Sequence, residues 1–376
     1  MKVHPRNLLP GSLILSDVMG NTTYPIVPKN TVVEDIHIEV LTKFRVPYVE
    51  VASKLADGSH YVNETHVEKE DTQPEIEQNE EEKLLIKNTS YVKKESWTFY
   101  DYYVDAVQST IELFENWNEH SKLDITSIRE MILPLVEIGE ETSDILIQLH
   151  HYTDKHYYFF HHIVALPVIS SYLANKLNYS KNERVQIALA AYLSDIGMLL
   201  VDKKLYYKDG ILTEEEFEEV KKHPVLSYRL IEHEKYLSKN IKLAVLQHHE
   251  RLDGTGYPLG LTHEKIHPYA KLIAVSDTFH AMTSERYYKN KQSPFKVVEE
   301  LNKYQFGILD MKIVMALTNS IVQFSNGAKV KLSNNEIGII KFIDQKHPTR
   351  PLIQLENDQL INLTELPNLY IDEVLQ

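Results

Sequence analysis

The chain has 376 residues, no cysteine, and 40 Lys and Arg against 54 Asp and Glu, for a formal charge of −14. An apolar share of 43% with 25% charged residues is ordinary for globular protein and excludes a disordered chain, a collagen, a disulfide scaffold and a membrane bundle. The missing cysteine excludes disulfides, thiolate nucleophiles and Cys-ligated zinc, and the acidic balance argues against a nucleic-acid polymer as partner.

No apolar run reaches the roughly 18 residues of a membrane span, and the first apolar stretch is broken by Pro10 and Gly11, too early for a signal segment. The expectation is a soluble cytoplasmic protein that does not enter a membrane. Residues 1–62 read as a β-rich domain, with strand-like runs at Ser12–Leu15 and Tyr48–Val51 and a short helix from Val33 to Phe44. Residues 63–84 form an acidic linker. From His66 to Lys83 there are eight acids and two bases, a composition that cannot bury a core. Residues 85–150 are a helical connector whose stripes (Ile111, Leu113, Phe114 and Trp117, then Ile132, Leu133, Leu135, Val136 and Ile138) are core.

Residues 151–322 form a denser helical domain. Ser180 with Glu183, and Thr213 with Glu216, have capping-box form. The helix entered at Thr213 is expected to stop near His223, because Pro224 follows. Pro268 suits the first turn of a helix running through Asp277, Ser293-Pro294 opens another, and Pro167 should kink the helix that contains it. Residues 323–376 return to alternation around the turn-prone Ser333-Asn334-Asn335 and read as a small β unit. The fold class is mostly α, a bundle of six or seven helices flanked by small β-rich units.

The chemistry sits in the helical domain. His162, Asp195, His223, the pair His248-His249 and Asp277 lie in or at the ends of expected helices. Imidazole with carboxylate suits a divalent first-row metal such as Fe, Mn, Zn or Ni. Their spacing is not that of a local motif, so the fold must bring them together. Neighbours on a helix point about 100° apart, so His248 and His249 reach one ion only from a helix end, or else they serve different roles.

His248 to Pro258 reads HHERLDGTGYP, which resembles the signature of the HD-GYP family, a branch of the HD superfamily of metal-dependent phosphohydrolases. LTEEEFEEVKKHP ending at Pro224, IHPYAKLIAVSD ending at Asp277 and TSERYYK ending at Lys289 resemble the family's other motifs in order and spacing. The likeness covers roughly residues 150–322, and the N-terminal segment resembles the small domain that often precedes such modules. What the resemblance implies is an HD-type helical bundle with hydrolysis of cyclic di-GMP, or a related cyclic dinucleotide, on one or two divalent ions, Fe or Mn. His162, Asp195 and Asp277 would hold the first ion, and Asp195, His223, His248 and His249 the second. Asp195 and Tyr257 would carry the chemistry, while Gly256, Tyr257, Arg286 and Lys289 border the substrate. Diguanylate cyclase domains are the implied partner class, through the GYP loop, and a homodimer through the 85–150 helices is left open.

The departures bear on activity. Where the family reads HDIGK, this chain has Ser194-Asp195-Ile196-Gly197-Met198. A serine hydroxyl is a poor ligand beside imidazole, and a thioether cannot neutralise a phosphate as lysine does. His280 stands where the family has an aspartate; it either supplies a compensating imidazole or faces solvent. Tyr157 to Phe160 is aromatic and reads as core more readily than as a base-stacking platform. Asp310 matches a late family aspartate, and a helix N-cap explains it. The expectation is a cyclic di-GMP signalling protein with an impaired phosphodiesterase site, acting by binding ligand or partner; the alternative is an active phosphodiesterase.

Overall fold

The computed structural model describes residues 96–285 apart from 119 and 209, residues 291–375 apart from 305, 323–326 and 345, and residues 2–56 apart from 4, 6, 7, 20–24, 35, 36, 39, 40, 42–45 and 47. The expected acidic linker and most of the expected helix from Val33 to Phe44 lie outside them. The chain divides into two units, Met1–Glu77 and Gln78–Gln376.

The first unit is built on short strands: β1 (Lys2–Val3), β2 (Ser12–Ile14), β3 (Val18–Met19), β4 (Pro25–Val27) and β5 (Val49–Leu55). They form an antiparallel sheet ordered β1-β5-β2 and a β3-β4 ribbon. Alternation puts Ile14, Val49 and Val51 into a small core with Val3, Val27 and Leu41.

The second unit is helical: α1 (Phe99–Asn116), α2 (Ile125–Glu141), α3 (Ile145–Tyr152), α4 (Tyr158–Lys176), α5 (Lys181–Ser194), α6 (Glu214–Val220), α7 (His223–Ile231), α8 (Lys239–Gln247), α9 (Pro268–Thr283), α10 (Pro294–Tyr304) and α11 (Met311–Ile321). The caps that begin these helices are local. Both expected capping boxes form, at Ser180 and at Thr213, and a third, Thr98 with Asp101, opens α1. Every residue from Phe160 to Ala174 is buried, so α4 is enclosed all round and lies at the centre. It packs against α1, α2, α3, α5, α9 and α11, and it continues through Pro167 without a break.

A five-stranded antiparallel sheet closes the unit: β6 (Lys329–Leu332), β7 (Ile337–Phe342), β8 (Leu352–Leu355), β9 (Leu360–Asn362) and β10 (Ile371–Leu375), ordered β10-β6-β7-β8-β9. Its inward residues, among them Val330, Leu332, Ile340 and Ile371, belong to the same core as α1–α11. The architecture is mostly helical with a small antiparallel sheet towards either end of the chain. Among the described residues, no helix is long and apolar enough to cross a membrane.

The helix from Thr213 does not run to His223. It ends at Val220, and Pro224 falls in the first turn of α7. A proline there gives up an N–H that has no intrahelical partner anyway, so it opens a helix rather than ending one. His223 becomes the first residue of α7.

A 3₁₀ turn, Ile196–Leu200, follows α5 and packs on α7. The contact requires Gly197: a Cβ there would lie 2.3 Å from the His223 carbonyl oxygen and 2.4 Å from the Ser227 nitrogen. Ser227 Oγ accepts from the Gly197 N–H at 2.7 Å and donates to the Ser194 carbonyl at 2.6 Å. Ser227→Ala leaves both backbone groups buried and unpaired, so it should cost about 1–3 kcal/mol, read as a lower urea midpoint at unchanged slope.

His267 caps α9. Its Nδ1 accepts from the Tyr269 N–H at 3.2 Å, which leaves the Nε2 proton for Asn240 Oδ1 at 3.1 Å. Burial, with help from Lys271, lowers its pKa to about 4, against about 6.5 in an unfolded chain. The folded pKa is the depressed one, so this contribution to stability is complete above about pH 6.5 and is lost as the pH falls toward 4. Unfolding midpoints measured across that window should fall with acid, and less steeply in His267→Asn, which caps without titrating.

Candidate metal centre

Helix ends supply most of the site. Asp195 is the C-terminal cap of α5, His223 begins α7, and His248 caps α8 with His249 next in line. His162 and Asp277 project from within α4 and α9. The structure brings all six together. His162 Nε2 lies 3.0 Å from Asp277 Oδ1 and 3.9 Å from Asp195 Oδ2. His223 Nε2 lies 3.3 Å from Asp195 Oδ1, and His249 Nδ1 lies 3.5 Å from Asp277 Oδ2. One ligand atom each from Asp195, His223, His248 and His249 falls within a 4.8 Å span. That is slightly wider than the roughly 4.2 Å between opposite ligands at about 2.1 Å from an ion.

Backbone carbonyls fix two of the imidazoles. His223 Nδ1 is 2.7 Å from the Val220 oxygen and His248 Nδ1 is 2.8 Å from the Val245 oxygen. A carbonyl only accepts, so each Nδ1 carries a proton, and in the neutral ring Nε2 then holds the lone pair that a metal ligand needs. Those two Nε2 atoms face each other at 3.1 Å. Asp195 Oδ2 beside them is buried and has no hydrogen-bond partner. With both rings neutral, two opposed lone pairs and an orphaned carboxylate oxygen are costly in a dry interior, and a divalent cation would satisfy all three. The donor set therefore fits a metal.

The electrostatics agree. Burial, then the neighbouring imidazoles His249 and His223, push His248 well below the ordinary histidine range; His249 is lowered by burial, then by His223, Arg251 and His162. Both stay neutral, as ligands must. Burial raises Asp195, with His223 and His162 working against it. Burial also opposes ionisation of Asp277, but the hydrogen bond and charge of His162, with Arg251 and His248, hold it below the usual carboxylate range.

Ser194 is fully buried and its Oγ donates back to the Ala190 carbonyl of its own helix at 2.8 Å. Met198 is buried and lines a cleft of about 140 Å³ with Tyr158, Phe159, Tyr206 and Lys208. His280 does not face solvent: it is 1% exposed, and its Nδ1 lies 2.9 Å from His162 Nδ1. The aromatic run divides, with Phe160 buried in the core while Tyr158 turns its hydroxyl to His162 Nδ1 at 3.3 Å. Asp310 caps α11 through the Lys312 N–H at 3.0 Å.

The loop after His249 is held from beneath. A Cβ on Gly256 would meet Arg251 N at 2.3 Å and His249 O at 2.5 Å, and Tyr257 stacks on His249 with centroids 4.7 Å apart. Burial keeps the Tyr257 phenol protonated well past its usual range. Glu250, 2% exposed, accepts from the Leu259 and Leu261 N–H groups at 2.7 and 2.8 Å. Its position inside the motif was the signal for this clamp; neither Tyr158 nor Ser227 carries one. Arg286 and Lys289 lie outside the described residues.

An HD domain family model matches residues 146–313. The chain is 32% identical over 206 residues to the cyclic di-GMP phosphodiesterase PdeB of Borreliella burgdorferi, covering 54% of each. It is 32% identical over 183 residues to the cyclic di-GMP phosphodiesterase PA4108 of Pseudomonas aeruginosa, covering 49% of this chain and 44% of that one. It is 28% identical over 160 residues to the 3′3′-cGAMP-specific phosphodiesterase 3 of Vibrio cholerae, covering 43% and 35%. The chain spans about half the length, or less, of these curated relatives. It carries an HD domain and is related to the HD-GYP cyclic di-GMP phosphodiesterases.

If the cluster holds a cation, His248→Ala should release it. Losing an Nε2 that faces His223 should weaken retention by more than the 10–100-fold that outer hydrogen-bond partners cost, measured by elemental analysis after dialysis against a chelator.

Proposed function

We propose that this chain is an HD-GYP-type protein of cyclic di-GMP signalling. It holds a divalent ion, iron or manganese, and a cyclic dinucleotide at the buried His/Asp cluster, and it turns the dinucleotide over slowly or not at all. The observation that carries the reading is the complete quartet of Asp195, His223, His248 and His249 beside two substitutions that remove neighbouring functions. His162, Asp195 and Asp277 would hold a first ion and the quartet a second. Bound there, a cation neutralises phosphodiester oxygens and acidifies water.

The chain's own groups account for binding better than for turnover. Burial holds His248 and His249 neutral, so their lone pairs are available at ordinary pH. Tyr257, kept as a phenol, has a proton to donate to a phosphate oxygen, and Arg286 and Lys289 would add positive charge from the neighbouring segment. Against this, the Ser194 hydroxyl is engaged with Ala190, and Met198 would offer a thioether where the family motif has a lysine to meet the charge developing on phosphorus. Removing one such stabiliser costs on the order of 10²–10³ in rate. Leu259, 56% exposed next to Tyr257-Pro258, supports a docking role for this loop, with diguanylate cyclase domains as the proposed partner.

The alternative, an active phosphodiesterase, is favoured by the convergence of all six expected ligands. One assay separates the two. Protein purified without added metal should contain at most about one equivalent per chain and convert cyclic di-GMP slowly or not at all by chromatography. Ser194→His with Met198→Lys should raise the rate by at least about 10². Brisk turnover by the unaltered chain with two bound ions would overturn the impaired reading.

A further inference from the structure

His162 has one nitrogen on each side of a boundary. Its Nε2 faces the cluster, between Asp277 Oδ1 at 3.0 Å and Asp195 Oδ2 at 3.9 Å. Its Nδ1 faces away, 2.9 Å from His280 Nδ1. His280 is thus behind the ring of His162, not beside it, and does not add an imidazole to the set. Both rings are buried, at 7% and 1% exposure, so the contact between them is made in a dry interior and is not exchanged for water.

Two neutral imidazoles whose Nδ1 atoms meet at hydrogen-bond distance share one proton, and which ring carries it fixes the tautomer of both. For His162 to offer its Nε2 lone pair, its proton must sit on Nδ1, where His280 Nδ1 at 2.9 Å is nearer than the Tyr158 hydroxyl at 3.3 Å. The proton of His280 is then on Nε2, where Ser284 Oγ lies 3.3 Å away to accept it. Ser284 is itself fully buried, and its backbone N–H is tied to the His280 carbonyl at 3.1 Å. The ring of Tyr158 stacks over His280 with centroids 6.2 Å apart and an interplanar angle of 23°, which restricts rotation about the His280 side chain.

We infer that His280 is a positioning residue for His162: its Nδ1 accepts the Nδ1 proton of His162 and so turns the Nε2 lone pair of His162 toward Asp195 and Asp277. The inference rests on the metal-centre reading above and goes beyond it by assigning a residue outside the ligand set. It also explains what a ring does at this position that a carboxylate cannot. With no cation present, His162 Nε2 keeps its proton for Asp277, and His280 donates to His162 Nδ1. With a cation present, the same contact reverses and His280 accepts. A carboxylate at 280 only accepts, so it favours the loaded arrangement alone.

The test is Mn²⁺ uptake by the full-length chain, followed by the electron paramagnetic resonance signal of the free ion, in His280→Leu, His280→Asn and His280→Asp. The Oδ atom of Asn or Asp lies the same number of bonds from Cα as Nδ1 of histidine, so each offers an acceptor at the same place. His280→Leu should weaken uptake about 10–100-fold, the usual cost of losing the partner that orients a metal-binding histidine. His280→Asn should stay within a few-fold of the parent, and His280→Asp should bind more tightly than His280→Asn. Thermal melting of each variant reports folding separately, and the Asn and Asp pair keeps the test open if the Leu variant does not fold. Parent-like uptake by His280→Leu, or equal binding by Asn and Asp, overturns the inference while leaving the metal-centre reading standing. A parent chain that takes up no Mn²⁺ overturns both.

Discussion

Two carboxylates sunk among imidazoles in a helical interior are the constraint on which the rest of the unit depends. An isolated carboxylate in such a place costs several kcal/mol. Asp195 and Asp277 are tolerated because His162 and His223 reach them from α4 and α7, while the neutral His249 approaches Asp277 from the end of α8. Each of those approaches needs its own local arrangement. Gly197 lets the 3₁₀ turn close on α7, Pro224 starts α7 so that His223 leads it, and the end of α8 releases His248 and His249 toward the same point. Charge compensation and chain geometry are therefore a single requirement here. Any change that moves α7 against α5 also strands a carboxylate.

Under the proposed reading, holding a ligand and transforming it draw on different side chains in this site. The opposed Nε2 atoms of His223 and His248 and the unpartnered Asp195 oxygen make a cation favourable whether or not any substrate arrives. Ser194 and Met198 sit one and three residues from Asp195, yet neither disturbs that quartet. The serine hydroxyl finds its partner within α5, and the methionine packs against the aromatic wall of its cleft. Substitutions that leave no buried polar group unsatisfied are cheap for the fold. A site can thus lose reactive groups while the framework that presents its ligands persists.

How much of this was legible in the sequence follows the range of the interaction. Capping at Ser180 and Thr213 was readable because both partners lie within four residues, and strand alternation at 329–342 was readable for the same reason. The six cluster residues were found through motif text, since their distances along the chain carry no periodicity. The stop before Pro224 was readable, since the helix ends at Val220, but the rule for a residue before proline does not say that the proline can begin the next helix. The 2.9 Å contact between His162 and His280 joins residues 118 apart, and Ser227 joins Gly197 across α7. Nothing in either local sequence marks those pairings. The apolar stripes of α1–α3 were recognisable as core, but not that they share it with α4 and with the C-terminal sheet.

The two halves of the cluster are built with unequal rigidity. On one side, His223 and His248 take their orientation from main-chain carbonyls one helical turn back. Those acceptors cannot donate, so each Nδ1 keeps its proton and a neutral ring there offers Nε2 without a change of tautomer. On the other side, His162 takes its orientation from another imidazole, a partner able to donate or accept. A ring oriented by backbone needs no change of tautomer to bind, whereas His162 Nε2 lies 3.0 Å from Asp277 Oδ1 and would have to present a lone pair there. Under the proposed reading, that side is also the one where Ser194 stands in place of the family motif's histidine. Both differences lie in one direction: under the proposed reading, the quartet around His223 and His248 would be the half better prepared to take a cation, and the half around His162 would depend on the side chains behind it.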